Sequence, residues 1–149
     1  MQVVSVNISE KKGTIKVPVE SIELNSTGVK NDAHAGKWHR QVSLLAKESN
    51  EKFALASKRE VAYGEFAENI TTQGIVLHET IPGDRLIIGD TELEITQIGK
   101  KCHGDNCAIF REVGDCVMPK EGIFARVIKG GTIRAGDSMT YIPQLINLI

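Results

Sequence analysis

Apolar and polar positions alternate along much of this chain, with the two-residue period of half-buried strands. Val3 to Ile8 reads as a strand, broken by Lys11-Lys12-Gly13. Thr14 to Val19 contains Pro18, and proline has no N–H to give a sheet interior, so this stretch reads as an edge or bent strand. Ile22 to Leu24 continues the sheet up to the turn-rich Asn25-Ser26-Thr27-Gly28. Gln41 to Leu45 reads as a short buried strand or the start of a helix. Ser49 to Val61 is the best helical stretch, with Phe53, Leu55 and Ala56 set among charged residues, Ser49 as its cap and Gly64 closing the region.

The second half is organised by a repeated device. Gly83-Asp84 precedes Leu86 and Ile88, Gly89-Asp90 precedes Leu93 and Ile95, and Gly136-Asp137 precedes Met139 and Tyr141. In each case a turn dipeptide is followed by apolar residues two apart, which predicts hairpins. No period of solenoid length and no low-complexity linker is present. The pattern predicts a predominantly β fold, a mixed β-barrel with one or two short helices, in a single domain over residues 1–149.

Composition changes this picture little. The 149 residues are 41% hydrophobic and 25% charged, ordinary for a globular chain long enough to bury a core. A net charge of -1 argues against nucleic acid or an anionic membrane surface as partner. The N-terminus lacks the basic start and apolar run of a signal peptide, and no stretch has the length of a membrane span. The three cysteines, odd in number, do not suggest a disulfide framework; a cytoplasmic protein with reduced thiols is expected.

The chemistry concentrates in two places. Cys102 follows Lys100 and Lys101 and precedes His103, and cations favour the thiolate, the reactive form of the thiol. It reads as a nucleophile, or else as a small buried hydrophobe. Cys107 lies in the more apolar CAIF; Cys116, beside Asp115, could serve as a resolving thiol. With His103 the three cysteines form a Cys3His set, but the C-x4-C-x8-C spacing lacks the paired knuckles of structural zinc sites. His34, Lys37, His39 and Arg40 make the second place, in the polar stretch KNDAHAGKWHR. They read either as a solvated loop or as an anion site, since lysine and arginine are natural phosphate partners. Glu65, Glu68 and Asn69 form a third, weaker group.

Four segments together resemble the MOSC domain, named after the C-terminal part of molybdenum cofactor sulfurase. They are DAHAGKWHRQVSLL (Asp32 to Leu45), GEFAENITTQG (Gly64 to Gly74), PGDRLIIGDTELEITQIGKKC (Pro82 to Cys102) and GIFARVIKGGTIRAGD (Gly122 to Asp137). The resemblance implies a MOSC-like, pyruvate-kinase-type β-barrel, in a stand-alone bacterial form without an attached pyridoxal-phosphate-dependent sulfurase domain. It implies a sulfur-carrier or molybdopterin-binding module, with Cys102 as thiolate or persulfide. His34, Lys37, Arg40, Asn69 and His103 are then the residues expected to meet the molybdenum cofactor. The implied partners are a sulfur donor such as a cysteine desulfurase, and a molybdoenzyme or cofactor-biosynthesis protein. A non-catalytic module that binds a pterin phosphate or a protein, or a cysteine-based metal site, are the alternatives.

Overall fold

The structure, a computed structural model, describes residues 1–11, 14–99 and 121–144. The described strands are β1 (Gln2–Ile8), β2 (Val17–Val19), β3 (Ser21–Asn25), β4 (Gly28–Val29), β5 (Val42–Ala46), β6 (Ile70–Gln73), β7 (Arg85–Ile88), β8 (Thr91–Ile98), β9 (Ile123–Lys129), β10 (Gly131–Arg134) and β11 (Met139–Ile142). Helix α1 spans Lys47–Ser57, and a 3-10 turn occupies Leu77–Glu79.

Eight strands form one sheet in the order β11-β7-β8-β9-β5-β6-β1-β2, and a second sheet has the order β10-β3-β4. The fold is predominantly β, as the alternation predicts. The large sheet is not closed, however: β11 and β2 are its two edges, so the expected barrel is a loose one. Pro18 lies in β2, on an edge where its missing N–H costs no ladder bond.

The core comes from one face of each strand. Val6, Val42, Leu44, Ile70, Leu86, Leu93, Ile95, Ile123 and Ala125 of the large sheet meet Ile22, Leu24, Val29 and Ile133 of the small one. All five residues of β5 are buried. Its core face carries Val42, Leu44 and Ala46. The five buried positions explain why Gln41 to Leu45 reads as a continuous apolar run: β5 is a central strand, parallel to β6 and antiparallel to β9.

Helix α1 begins and ends earlier than the sequence predicts. Its cap is Ala46, which offers no side-chain hydrogen bond, and Lys58 closes it in the left-handed conformation (φ 57°). Ser49 is inside the helix, where its hydroxyl donates to Glu121 Oε1 at 2.7 Å. Only Ser49, Asn50 and Phe53 of α1 are buried, and Phe53 meets Phe66 edge-to-face at 4.8 Å. That thin contact surface is the reason the helical periodicity is weak.

The three Gly-Asp pairs are all turns, each with glycine at positive φ, but only one is a hairpin. Gly89-Asp90 joins β7 to β8 with Ile88 opposite Thr91; glycine in the first position (φ 57°) suits a two-residue turn. Gly136-Asp137 carries the chain from β10 in the small sheet to β11 in the large one. Gly83-Asp84 leads into β7, and Asp84 ties β11 and the residues just after it by accepting from Tyr141 Oη and the Gln144 N–H, as well as from the Ile81 N–H.

Gly64 and Gly136 separate strain from collision. Both have positive φ (87° and 94°), but a Cβ at Gly64 would lie 2.5 Å from the Lys16 carbonyl oxygen, whereas at Gly136 it meets nothing within 4 Å. Gly136→Ala should therefore cost about 1–2 kcal/mol from conformation alone, and Gly64→Ala about 2–5 kcal/mol. Urea denaturation checks this; equal losses at both positions would contradict the packing described.

Candidate functional site

The site is built on a buried ion pair. Lys16 and Asp32 have side chains 1% and 0% exposed, and Lys16 Nζ donates to Asp32 Oδ1 at 2.8 Å and to Oδ2 at 3.0 Å. The carboxylate also accepts from the Ser9 N–H on Oδ1 and the His34 N–H on Oδ2, each at 3.0 Å. Burial works against the charge on Asp32, yet the Lys16 hydrogen bond and the two backbone N–H groups outweigh it and hold the carboxyl below its ordinary range. Asp32 is thus neutralised at the base of the loop that leads to β5.

The loop itself is held by its backbone. Gly36 N–H donates to the Thr27 carbonyl, and Ala35 N–H to that of Asp32. Gln41 binds three ways: its amide donates to the carbonyls of Ser26 and Gly36, and its Oε1 accepts from the Val127 N–H of β9. Trp38 Nε1 donates to the His34 carbonyl at 2.9 Å, and the indole stands edge-to-face to the His34 and His39 rings. Lys37 and His39 are exposed; His34 and Arg40 are half-buried.

A bulge in β8 brings a further residue to this loop. Ile95 lies opposite Ala125, but the next pair is Gln97 with Phe124, so Thr96 is the extra residue. In strict alternation Gln97 would follow Leu93 and Ile95 onto the core face. The bulge turns it to the opposite face and returns Ile98 to the core, opposite Ile123. Gln97 Oε1 accepts from Arg40 Nε at 3.0 Å and lies 2.9 Å from His39 Nε2. A carbonyl oxygen only accepts, so His39 carries its proton on Nε2 here. Gln97 Nε2 donates to the Gly99 carbonyl at 2.7 Å. The Thr96 hydroxyl donates to the His39 carbonyl, and the Arg40 guanidinium lies 5.3 Å from the centre of the Phe124 ring. Gly99 N–H in turn donates to the Gly122 carbonyl at 2.6 Å, which joins the ends of β8 and β9.

The remaining predicted residues divide. Asn69 is fully buried, and its amide is occupied: Oδ1 accepts from the Ser43 N–H and hydroxyl, and Nδ2 donates to the Asn7 carbonyl. The geometry gives Asn69 the work of tying together β5, β1 and the start of β6. Glu65 pairs with Arg59 at 3.1 Å. Glu68 is fully buried and accepts from the Thr71 hydroxyl; burial pushes its carboxyl up from the ordinary glutamate value. Cys102, His103, Cys107 and Cys116 lie outside the described residues. Among the described residues no group of three or more histidine, cysteine, aspartate or glutamate side chains could hold a metal ion.

The model of the MOSC domain family matches residues 31–140, from the loop to β11. The chain belongs to the MOSC domain family. Solved structures agree at the level of fold. The YuaD protein from Bacillus subtilis superposes with a TM-score of 0.81 at 16% identity, over 96% of each chain. YiiM from Geobacillus stearothermophilus gives 0.75 at 20% identity, covering 96% of this chain and 75% of its own. YiiM from Escherichia coli gives 0.69 at 17% identity, with 97% and 71% covered. No curated protein matches the chain.

MOSC domains are associated with molybdenum cofactor binding and sulfur transfer. In this MOSC chain the loop offers an imidazole, a lysine and an arginine beside an aspartate that is already neutralised, a donor set that suits an anion. Sequence reasoning named His34, Lys37 and Arg40, which lie on this one loop, and did not name Lys16, Asp32, Thr96 or Gln97, which the structure places against it. One signal was readable: a glutamine at the third step of the Leu93-Ile95 alternation, followed at once by Ile98. Among the described residues no helix is long and apolar enough to cross a membrane.

Two outcomes follow from the buried charges. Asp32→Asn leaves the Lys16 ammonium buried without its counter-charge and should cost about 3–5 kcal/mol in urea denaturation; a loss near zero would remove the pair from the foundation of the loop. Glu68 acts with the opposite sign to Asp32. The unfolded chain releases this proton near the ordinary value of 4.5, while the folded chain retains it, so stability falls as pH rises from there. Melting curves of Glu68→Gln and the wild type should converge at acid pH and separate above about pH 4.5, with the wild type the less stable. Parallel curves across that range would contradict a buried neutral acid.

Proposed function

We propose that this protein is a sulfur-carrier module of molybdenum cofactor metabolism, with Cys102 as the carrying thiol and the basic loop as the anion-holding part of the same site. The observation that supports it is the Gln97 bridge. One amide side chain binds Arg40 and lies against His39 on the loop, and also binds the Gly99 carbonyl. Gly99 and Gly122 flank the stretch that holds all three cysteines. Gly99, the last described residue before that stretch, is thus tied through Gln97 to the loop.

The chemistry is a nucleophilic exchange without net oxidation. The Cys102 thiolate attacks the outer sulfur of a donor persulfide, R–S–SH. The donor's S–S bond breaks, R–S⁻ leaves with the electron pair, and Cys102–S–SH remains. An acceptor nucleophile then takes that outer sulfur and regenerates the thiolate. Lys100, Lys101 and His103 flank the cysteine in sequence and favour its ionised form. His34, Lys37 and Arg40 would hold the phosphate of a molybdopterin-type cofactor, while Asn69 keeps β5 and β6 in register beneath the loop. When bound, that cofactor supplies the metal and the dithiolene sulfurs. The donor is a protein persulfide of the kind a cysteine desulfurase carries; the acceptor is a molybdoenzyme or a cofactor-biosynthesis protein.

Peptide-resolved alkylation and persulfide labelling of the wild type and of each single Cys→Ser variant test this reading. Cys102 should alkylate first near neutral pH and should accept sulfur from a small persulfide donor. Cys102→Ser should fold with an unchanged melting point and carry no sulfur. If Cys107 or Cys116 reacts first, or Cys102→Ser still carries sulfur, the assignment to Cys102 fails; a Cys102 of ordinary reactivity whose removal leaves binding unchanged favours the non-catalytic binding module.

A further inference from the structure

Helix α1 and the chain after it enclose a cleft that shares no residue with the basic loop or with Gln97. Lys58 closes the helix in the left-handed conformation, and residues 60–63 and 65 then face it across about 610 Å³. That outer wall is held in shape. Glu65 accepts from Arg59 Nη1 at 3.1 Å and from the Ala62 N–H at 3.2 Å, and Arg59 Nη1 also donates to the Glu60 carbonyl at 3.1 Å. The helix wall carries an unmet donor. Asn50 lines the cleft with 3% of its surface exposed, and its Nδ2 has no hydrogen-bond partner among the described residues. Buried amide nitrogens are ordinarily paired, because burial strips the donor of its water. A carbonyl oxygen brought into the cleft meets that need.

Charge narrows the class of occupant. Three carboxylates line the cleft: Glu65 is paired with Arg59, and Glu51 with Lys47 at 3.3 Å. Glu60 is exposed and makes no ion pair among the described residues, so one negative charge is left unbalanced. Past Glu51, Ala54 and Glu60 the surface continues into a second hollow of about 750 Å³, which Leu55 and Lys58 also line. Leu55 is 82% exposed, so an apolar side chain is on offer there. A peptide brings a carbonyl, a cation and an apolar group together on one chain. Lys58 lines only the second hollow, so a basic side chain is favoured in the first and repelled from the second.

We infer that this cleft binds an extended segment of a partner protein. A lysine or arginine of that segment pairs with Glu60, a main-chain carbonyl accepts from Asn50 Nδ2, and an apolar neighbour covers Leu55. The inference stands apart from the sulfur-carrier reading, since neither Cys102 nor the basic loop enters it.

Nuclear magnetic resonance titration tests it, with a blocked alanine–glycine peptide that carries one lysine and one leucine as the probe. The peptide should shift the amides of residues 50–65 saturably. It should bind about fivefold more tightly than the same peptide with norleucine in place of lysine. The amine n-butylamine, which brings the cation without the carbonyl, should bind far more weakly than the peptide. Glu60→Gln should erase the preference for lysine over norleucine while still binding both peptides. Asn50→Ala should bind the lysine peptide about tenfold more weakly; should that variant not fold, Glu60→Gln, at an exposed position, decides the question. Cys102→Ser should bind as the wild type does. No saturable shift, shifts centred outside residues 50–65, or equal affinity for n-butylamine overturns the inference. So does a lysine preference that survives Glu60→Gln, or unchanged affinity in a folded Asn50→Ala.

Discussion

A lysine ammonium and an aspartate carboxylate, both withdrawn from water, hold together the loop on which the candidate site is built. Such a pair is costly to desolvate and persists only where its remaining hydrogen-bonding positions are filled. Asp32 meets that condition by drawing in the Ser9 N–H beyond β1 and the His34 N–H of the loop, while Lys16 stands just before β2. Lys16 also reaches the opposite side through its backbone, where its N–H donates to the Gly64 carbonyl. One buried charge pair therefore joins the basic loop, the edge of the large sheet and the segment that leads to Asn69. Because Asp32 is neutralised from below, it does not cancel the cations carried above it.

Position within the sheets decides which of the loop's neighbours are tied into the strands and which face the loop. Asn69 and Ser43 satisfy one another under the sheet, so the amide there sets strand spacing. Gln97 has the same chemistry but lies one bulge away from the core, and it orients His39 and Arg40 instead. A single extra residue, Thr96, makes the difference between the two amides.

The alternation of apolar residues was enough to read most strands, because half-buried strands write their burial into every second position. The Gly-Asp pairs marked turns correctly since glycine at positive φ is a local requirement; whether a turn makes a hairpin depends on which sheet each neighbour joins, and that is set by distant residues. Pro18 identified an edge for a local reason too. Lys16 was invisible as a partner for Asp32 because nothing in its own neighbourhood marks it as buried. The loop cations were legible as a cluster since they are adjacent in sequence. Their link to Gln97 was not, as it spans the sheet and depends on a register shift. Asn69 stood out only as part of a weak polar group and owed its cofactor role to resemblance; only the fold shows how its amide is engaged.

The order of strands has a consequence for how the molecule comes into being. β1 must wait for β6, and β3 has no large partner until β10 is made, near the other end of the chain. Among the described strands only the β3–β4 and β7–β8 hairpins close with short loops. Pairings between such remote segments make for slow, cooperative folding, since the entropy of long loops is lost before any contact rewards it. The loop shares that fate: Gln41 is fastened to Val127 and Arg40 to Gln97, both synthesised much later. A nascent chain that already contains Lys37, Trp38 and Arg40 thus has no assembled loop. The loop takes its final form only when the last strands have arrived.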